Sequence, residues 1–214
     1  MAKRTKENTY RSMKTLLEKE DARSYTFDIR DTASPVAILA PHGGLIEWGT
    51  DQIAAGIAAE GYRLFCFKGR RIGGDNYDNL HVKSYLYDEP QCNALVKACN
   101  LVVAIHGCHD VPGKDNVIYV GGSNKTLREE ISDELNSAGF PTEPFATTPE
   151  DYRGVDARNI CNLGNNRDGG AQLEIALALR NELVPPRSAQ RGVRFQSFVD
   201  AVKRGIHNTL YPPH

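Results

Sequence analysis

The sequence lacks an excess of charge of either sign. Its 214 residues include 26 Lys and Arg and 27 Asp and Glu, which gives a net charge of −1. Proteins that bind nucleic acid or anionic membrane surfaces usually carry an excess of basic residues, so the overall charge predicts neither partner. Any attraction to a polyanion must therefore come from a local group of basic residues.

Long hydrophobic runs are also missing. No stretch approaches the roughly 20 apolar residues of a transmembrane helix, and the basic N-terminus, Met1 to Lys6, is followed by polar residues rather than by the apolar region of a signal peptide. We therefore expect a chain made in a cytoplasm without a membrane partner. The length favours one domain over residues 1–214, with an N-terminal segment at 1–20 and a C-terminal helix and tail at 191–214.

Two kinds of familiar motif are absent. The five cysteines show no CxxC spacing, and three of them lie in or beside apolar runs, which predicts buried, reduced thiols. They are Cys66, Cys92, Cys99, Cys108 and Cys161. The glycine pairs form neither a Walker A sequence nor a dinucleotide fingerprint, so nucleotide binding has little support.

What the chain does contain is an alternation of apolar strands and amphipathic helices. We predict strands at 24–29, 36–40, 62–67, 101–105, 117–120 and 171–176, and helices at about 10–20, 50–60, 88–99, 125–137 and 194–208. This alternation predicts an α/β fold, in which a mostly parallel or mixed central sheet carries helices on both faces. Ligands of such sheets bind at the carboxyl ends of the strands.

Two of the predicted strands lead to a histidine. The apolar run 36–40 is followed by His42, and Glu47 comes after a turn through two glycines; the run 101–105 is followed by His106. Taken singly, each has an ordinary explanation as a turn histidine or a helix N-terminal carboxylate. If the two strands are neighbours, however, two imidazoles and a carboxylate meet at one edge and leave a fourth position for water, as in a catalytic zinc site.

A third acidic residue, Glu174, lies inside the apolar run 171–176. Burial would raise its pKa toward the range useful to a general base; the alternative is a strand glutamate that faces solvent. His109 is a competitor for the ligand role or a partner of the ligands, and the alternative is an exposed loop histidine. His207 and His214 are predicted to be uninvolved.

Basic and polar residues near the same edge are candidates for binding an anionic substrate. These candidates are Arg70, Arg71, His81, Lys83, Asn166 and Arg167. For each of them, a solvated surface residue is the alternative. Tyr77, Tyr85 and Tyr87 either orient substrate or only pack.

These motifs resemble those of the phage poly-γ-glutamate hydrolases, a compact branch of the zinc carboxypeptidase fold. The resemblance covers roughly residues 20–210 and rests on Pro41-His42-Gly43-Gly44 with Glu47, on Ile105-His106-Gly107, and on Gln172-Leu173-Glu174-Ile175. The larger carboxypeptidases space their first two ligands as H-x-x-E, whereas here Glu47 follows His42 by five positions, which favours the smaller hydrolases. The Asn166-Arg167 pair is similar to the pair that binds the terminal carboxylate in carboxypeptidases.

The resemblance implies one zinc ion per chain, held by His42, Glu47 and His106, with Glu174 as the general base. It also implies a single zinc carboxypeptidase-like α/β domain that hydrolyses the γ-glutamyl amide bonds of the anionic capsule polymer poly-γ-glutamate. We further expect Arg167, with Arg70 or Arg71, to bind substrate carboxylates. Arg167 or a tyrosine would also stabilise the oxyanion.

We expect a monomer that reaches an external capsule after host lysis. Two alternatives stay open: a metal-dependent deacylase of small N-acyl amino acids such as N-formylglutamate, and a non-catalytic polyanion-binding phage protein in which the histidines only pack.

Overall fold

The computed structural model describes residues 10–59, 61–72, 74–114, 116–188 and 191–212. Its strands are β1 Tyr25–Arg30, β2 Val36–Gly44, β3 Arg63–Gly69, β4 Leu101–Cys108, β5 Ile118–Gly121, β6 Thr142–Glu143 and β7 Ala171–Ala176. Its α-helices are α1 Met13–Lys19, α2 Thr50–Ala58, α3 Asn76–Leu80, α4 Pro90–Lys97, α5 Lys125–Ser137, α6 Leu177–Leu183 and α7 Val193–Leu210. The predictions for the first nine residues and for His214 concern positions outside these ranges.

The seven strands form one mixed sheet, in the spatial order β1-β3-β2-β4-β7-β5-β6. The four central strands, β3, β2, β4 and β7, run parallel to one another. β1 pairs antiparallel with β3 at one edge, and β5 pairs antiparallel with β7 near the other. β2 and β4 are therefore neighbours, which is the condition for their two histidines to meet.

Helices cover both faces of the sheet, as predicted. On one face, Ile53 of α2 and Phe198 of α7 share a core with Ile38 of β2; α5 and α6 contribute to the same core. On the other face, Leu16 of α1 shares a second core with Phe65 of β3, together with residues of α3 and α4. Burial on both faces explains why the central strands are almost continuously apolar. All five cysteines are buried and free, so that prediction is also confirmed.

Short sequence signals mark the ends of several helices and strands. α5 begins after Asn124, whose side chain accepts a hydrogen bond from the Leu127 amide at 3.0 Å, and the chain leaves the helix through Gly139 at φ 80°. An asparagine N-cap and a glycine just beyond the last turn are local signals that begin and end a helix. β7 runs directly into α6. The five-residue α3 and the two-residue β6 were not predicted, because such short elements show no measurable hydrophobic period.

β2 and β4 are longer than predicted. β2 continues past Ala40 to Gly44, and β4 continues past Ile105 to Cys108, so both histidines lie within the last residues of their strands. No helix of the described residues is both long enough and apolar enough to cross a membrane.

Candidate metal centre

His42, Glu47 and His106 form one buried cluster at the carboxyl edge of the central strands. The His42 Nδ1 lies 3.0 Å from Glu47 Oε1 and 3.2 Å from His106 Nδ1, and His106 Nδ1 lies 3.8 Å from Glu47 Oε2. Ligands at 2.0–2.1 Å in a tetrahedral shell are roughly 3.3 Å apart. The two nitrogens and the carboxylate are thus spaced as three ligands of one small cation.

A bulge in β2 turns His42 toward the cluster. Strict alternation along the strand would place His42 on the same face as Ile38 and Ala40. The pairing of β2 with β3 shifts register between Ala40 and Gly43, and the His42 Nε2 instead donates to the carbonyl of Val82, which belongs to the core on the other face. A bulge re-aims a side chain in this way.

The turn after His42 depends on Gly44. Its φ is +66°, and a Cβ built on it would lie 2.5 Å from the Gly69 carbonyl oxygen of the neighbouring strand. The turn then returns the chain so that the Glu47 amide donates to the His42 carbonyl at 2.9 Å. The predicted tight turn that brings Glu47 back to His42 is therefore present.

Gly44→Ala is expected to lower the free energy of unfolding by roughly 3 kcal/mol, because it adds a steric overlap to the cost of a left-handed conformation. Gly113→Ala is the matched control, since Gly113 has φ +79° with no atom within 4 Å of its built Cβ. That control should cost only about 1–2 kcal/mol. Urea denaturation measures both values, and equal losses in the two variants would refute the role of the close approach.

One segment after α3 orients both imidazoles. Val82 accepts from the His42 Nε2 at 2.8 Å, and the Ser84 Oγ lies 3.4 Å from the His106 Nε2. Each ring therefore turns its Nδ1 toward Glu47, and partners of this kind fix the tautomer of metal-binding histidines. His81, from the same segment, stacks on the His42 ring at a centroid distance of 3.9 Å.

The electrostatics of the cluster favour the metal-binding protonation states of His42 and Glu47. Burial lowers the pKa of His42 to about 4, which keeps that imidazole neutral. Burial would raise the pKa of Glu47, but the neighbouring His42, His106 and His81 hold it well below its usual value. Metals bind neutral imidazoles and ionised carboxylates, so His42 and Glu47 fit a divalent cation as they stand. Burial lowers the pKa of His106, but the carboxylates of Glu174 and Glu47 raise it above its ordinary value, so this imidazole must release its proton when a metal binds.

Glu174 lies beside this cluster. It is the register partner of His106 on the adjacent strand and is only 9% exposed, so the alternative of a solvent-facing strand glutamate is wrong. The Gln172 Nε2 donates to Glu174 Oε1 at 3.1 Å. Burial, assisted by the negative charge of Glu47 and opposed by His106 and Arg180, raises the pKa of Glu174 to about 7. A carboxyl group with such a pKa is suited to general base catalysis near neutral pH.

The raised pKa of Glu174 predicts a pH-dependent stability of the metal-free protein. The carboxyl binds its proton more tightly in the folded chain, with a pKa of about 7 against an ordinary 4.5. Stability should therefore fall as the pH rises from about 4.5 through 7, by on the order of 3 kcal/mol. In Glu174→Gln this loss is absent, so the metal-free variant should exceed the parent in stability at pH 8 but not at pH 4. Urea denaturation at both pH values tests this, and a pH-independent difference would contradict it.

The cluster and Glu174 line a cavity of about 400 Å³. Further lining residues are Tyr77, His81, Lys83, Tyr85, His109 and Tyr152. Of the predicted substrate-binding residues, His81 and Lys83 thus line the cavity. Tyr77 and Tyr85 also face it, whereas Tyr87 is buried in the core.

The other predicted substrate-binding residues are not brought to the cavity. Asn166 and Arg167 lie in the loop before β7, whereas Glu174 lies toward the opposite end of that strand. The predicted carboxylate clamp therefore lies at the wrong edge of the sheet, because a residue before a parallel strand is at its amino end. Arg70 is exposed, and Arg71 instead pairs with Glu20 at 3.2 Å.

Sequence reasoning missed Arg180, Gln172 and Asn159. All three are buried and line the cavity, and the Asn159 Nδ2 donates to Gln172 Oε1 at 2.9 Å. A signal was available for Gln172, a polar residue among the apolar residues of β7, since polar groups are buried only with hydrogen-bond partners. Arg180 is followed by Asn181 and Glu182 and gave no such signal.

Two imidazoles and a carboxylate beside a buried carboxyl group, at the carboxyl edge of a mixed α/β sheet, form the arrangement that is typical of hydrolytic metal centres. The chain belongs to the poly-γ-glutamate hydrolase family, whose model matches residues 10–201. The resemblance inferred from the motifs and the predicted α/β fold are thereby confirmed, and the family supports a hydrolase.

Curated relatives are similar over almost the whole chain. The UPF0714 protein YndL of Bacillus subtilis (strain 168) is 29% identical over 209 residues, which are 95% of this chain and 79% of YndL. The SPbeta prophage-derived UPF0714 protein YoqZ of the same strain is 33% identical over 204 residues, which are 94% of this chain and 67% of YoqZ.

Two solved structures share the fold. Zinc-free YndL and a bacteriophage poly-γ-glutamate hydrolase each superpose with a TM-score of 0.85, covering 95% of this chain and 99% of theirs. Their sequence identities to this chain are 28% and 25%, respectively.

Proposed function

We propose that this protein hydrolyses the γ-glutamyl amide bonds of poly-γ-glutamate, with one zinc ion held by His42, Glu47 and His106. The observation that carries the proposal is the buried cluster itself, whose three ligands have tetrahedral spacing and lie beside Glu174 in an open cavity. The poly-γ-glutamate hydrolase family supplies the substrate class. A phage enzyme of that name with the same fold supports it.

Zinc, when bound, supplies a Lewis acid that polarises the scissile carbonyl and favours deprotonation of a water molecule. The chain supplies the proton transfers. The Glu174 carboxylate accepts the proton of the attacking water and then delivers it to the departing nitrogen, which is the α-amine of the next glutamate in the polymer. Gln172 holds Glu174 through its 3.1 Å hydrogen bond.

The margin of the cavity is suited to an anionic polymer. Every unit of poly-γ-glutamate retains a free α-carboxylate, and the exposed Lys83 lines the cavity. The Lys83 Nζ lies 5.9 Å from the centre of the Tyr85 ring, and the Arg158 guanidinium lies 5.3 Å from the same ring. Lys83 provides local attraction that the net charge does not show, whereas the charge of Arg158 is already paired with Asp156 at 2.7 Å.

Metal analysis and end-group analysis test the proposal together. We expect one zinc per chain, cleavage of long poly-γ-glutamate, loss of cleavage after chelation and recovery on adding zinc. Turnover of a small N-acyl glutamate without polymer cleavage would instead favour the deacylase. Polymer binding without bound metal or turnover would favour a non-catalytic polyanion-binding protein.

The proposed substrate also has a consequence for where the enzyme acts. A capsule polymer lies outside the cell, so we propose that the enzyme reaches it when the host lyses. Poly-γ-glutamate hydrolysis measured in the medium should rise at lysis, and the protein in medium from intact producing cells would contradict this.

We also propose that the protein is a monomer, and light scattering should give the mass of a single chain.

A further inference from the structure

The side chain of Arg180 is buried and joins three separate segments of the site. Arg180 lies on α6, and it is 5% exposed. Its Nε donates to the Ile175 carbonyl at 2.9 Å, one terminal nitrogen donates to the Trp48 carbonyl at 2.7 Å, and the other donates to the Cys108 carbonyl at 3.1 Å. One rigid guanidinium thus binds three backbone positions.

Each accepting carbonyl is close in sequence to a residue of the site. The acceptors are Trp48, which follows Glu47; Cys108, two residues after His106; and Ile175, which follows Glu174. The loop after β2, the end of β4 and the end of β7 each bring one chemical group to the cavity. Their relative positions determine the spacing of two ligands and the base.

The residue after His106, Gly107, leaves room for this guanidinium because it has no side chain. A Cβ built on Gly107 would lie 2.4 Å from the Arg180 Cζ, so only glycine lets the planar group lie against β4. The Gly107 amide in turn donates to Glu47 Oε2 at 2.8 Å. Arg180 therefore also packs on the peptide that holds the carboxylate ligand.

Arginine suits this position better than any other cation. Its planar fork points several donors in fixed directions, whereas lysine is a point charge on a flexible stem. A buried cation needs hydrogen bonds and opposite charge, and the three carbonyls and the nearby carboxylates of Glu47 and Glu174 provide them.

We propose that Arg180 is a positioning residue that sets the distances between the metal ligands and the base. The inference rests on the proposed function, since it concerns the same zinc site. Arg180 acts through three backbone carbonyls and not through a bond to substrate.

Zinc affinity in Arg180→Met tests the proposal. Competition with a chromophoric chelator should show a 10–100-fold weaker zinc affinity, the loss typical when a supporting partner of a metal site is removed. The absorption spectrum of the Co²⁺-loaded variant should also differ from that of the parent. Parent-like affinity together with a parent-like spectrum would overturn the proposal.

Arg63→Met is the matched control for loss of a mostly buried arginine. Arg63 also donates to a backbone carbonyl, that of Ser34 at 2.9 Å, and pairs with Asp31, but it lies at the amino end of β3. The Arg63→Met variant should lose thermal stability but keep its zinc affinity within about twofold of the parent, since general destabilisation alone does not change the ligand spacing. A loss of affinity equal to that of Arg180→Met would overturn the specific role.

Two further variants keep the test decisive. Arg180→Lys retains the charge without the fork and should bind zinc nearly as weakly as Arg180→Met, so full rescue by lysine would overturn the proposal. If Arg180→Met does not fold, Gly107→Ala displaces the guanidinium while leaving Arg180 in the chain, and parent-like zinc affinity in that variant would overturn it too. A parent protein that binds no zinc would instead refute the proposed function.

Discussion

Glu174→Gln is expected to lower kcat/KM for poly-γ-glutamate by about 10²–10⁴-fold, the usual contribution of a general base. Glutamine has nearly the same shape and can still accept the hydrogen bond from Gln172, but it cannot take a proton from water. The site should therefore keep its zinc and its affinity for the polymer. Steady-state kinetics with zinc-loaded protein, together with metal analysis of the same sample, separates loss of the base from loss of the metal.

Glu89→Gln is the control for removing a buried carboxylate. Glu89 is 3% exposed, but it caps α4 by accepting the Cys92 amide at 2.6 Å. The substitution should change stability and leave kcat/KM within about twofold, since a helix cap contributes to folding rather than to proton transfer. The assignment of Glu174 fails if Glu174→Gln keeps parental kcat/KM, or if Glu89→Gln loses as much activity.

His106→Ala is expected to abolish stoichiometric zinc binding and to lower kcat/KM by at least about 10³-fold. The variant leaves only His42 and Glu47 as protein ligands, and a bound metal contributes several kcal/mol to stabilising the transition state, each 1.4 kcal/mol being a factor of ten. Metal analysis after gel filtration gives the zinc content, and polymer cleavage gives the activity. Both should fall together, unlike in Glu174→Gln.

His207→Ala controls for the loss of a histidine as such. His207 lies on α7, is exposed and contacts the Tyr211 ring at a centroid distance of 5.0 Å. This variant should keep one zinc per chain and full activity. Stoichiometric zinc in His106→Ala would rule out the ligand set and favour histidines that only pack.

The site also carries a cost to folding. Two buried carboxyl groups, Glu47 and Glu174, share one edge with the buried cation of Arg180. Burying charges without full compensation destabilises the folded chain, and a divalent cation that binds only the folded state offsets that cost by mass action. The pH-dependent stability predicted for the metal-free protein and the activity loss in Glu174→Gln are thus two consequences of one buried carboxyl group.

Much of the fold could be predicted because its signals are local. The predicted helix 125–137 matches α5 residue for residue, since an Asn cap and a closing glycine bound its periodic core. The central strands were found from their apolar runs, which burial on both faces requires. Short elements such as α3 escaped prediction because five residues carry too little pattern.

The candidate site was predictable only in part, for a different reason. Residues at the carboxyl ends of strands meet by the rules of parallel sheets, so His42, Glu47, His106 and Glu174 could be grouped from sequence alone. Arg167 lies near Glu174 in sequence, but it precedes the amino end of β7, whereas Glu174 lies toward the carboxyl end of that strand. Nearness in sequence was therefore a misleading guide to the substrate-binding groups.

The sequence by itself determined the class of fold, the candidate ligands and the likeness to the poly-γ-glutamate hydrolases, because these depend on residue type and on short-range period. Only the tertiary structure decided which residues face the cavity. It turned His42 across the sheet through a bulge, buried Glu174 so that its pKa rises, and placed Arg180 between three segments distant in sequence. Each of these depends on contacts between distant parts of the chain, which no local pattern encodes.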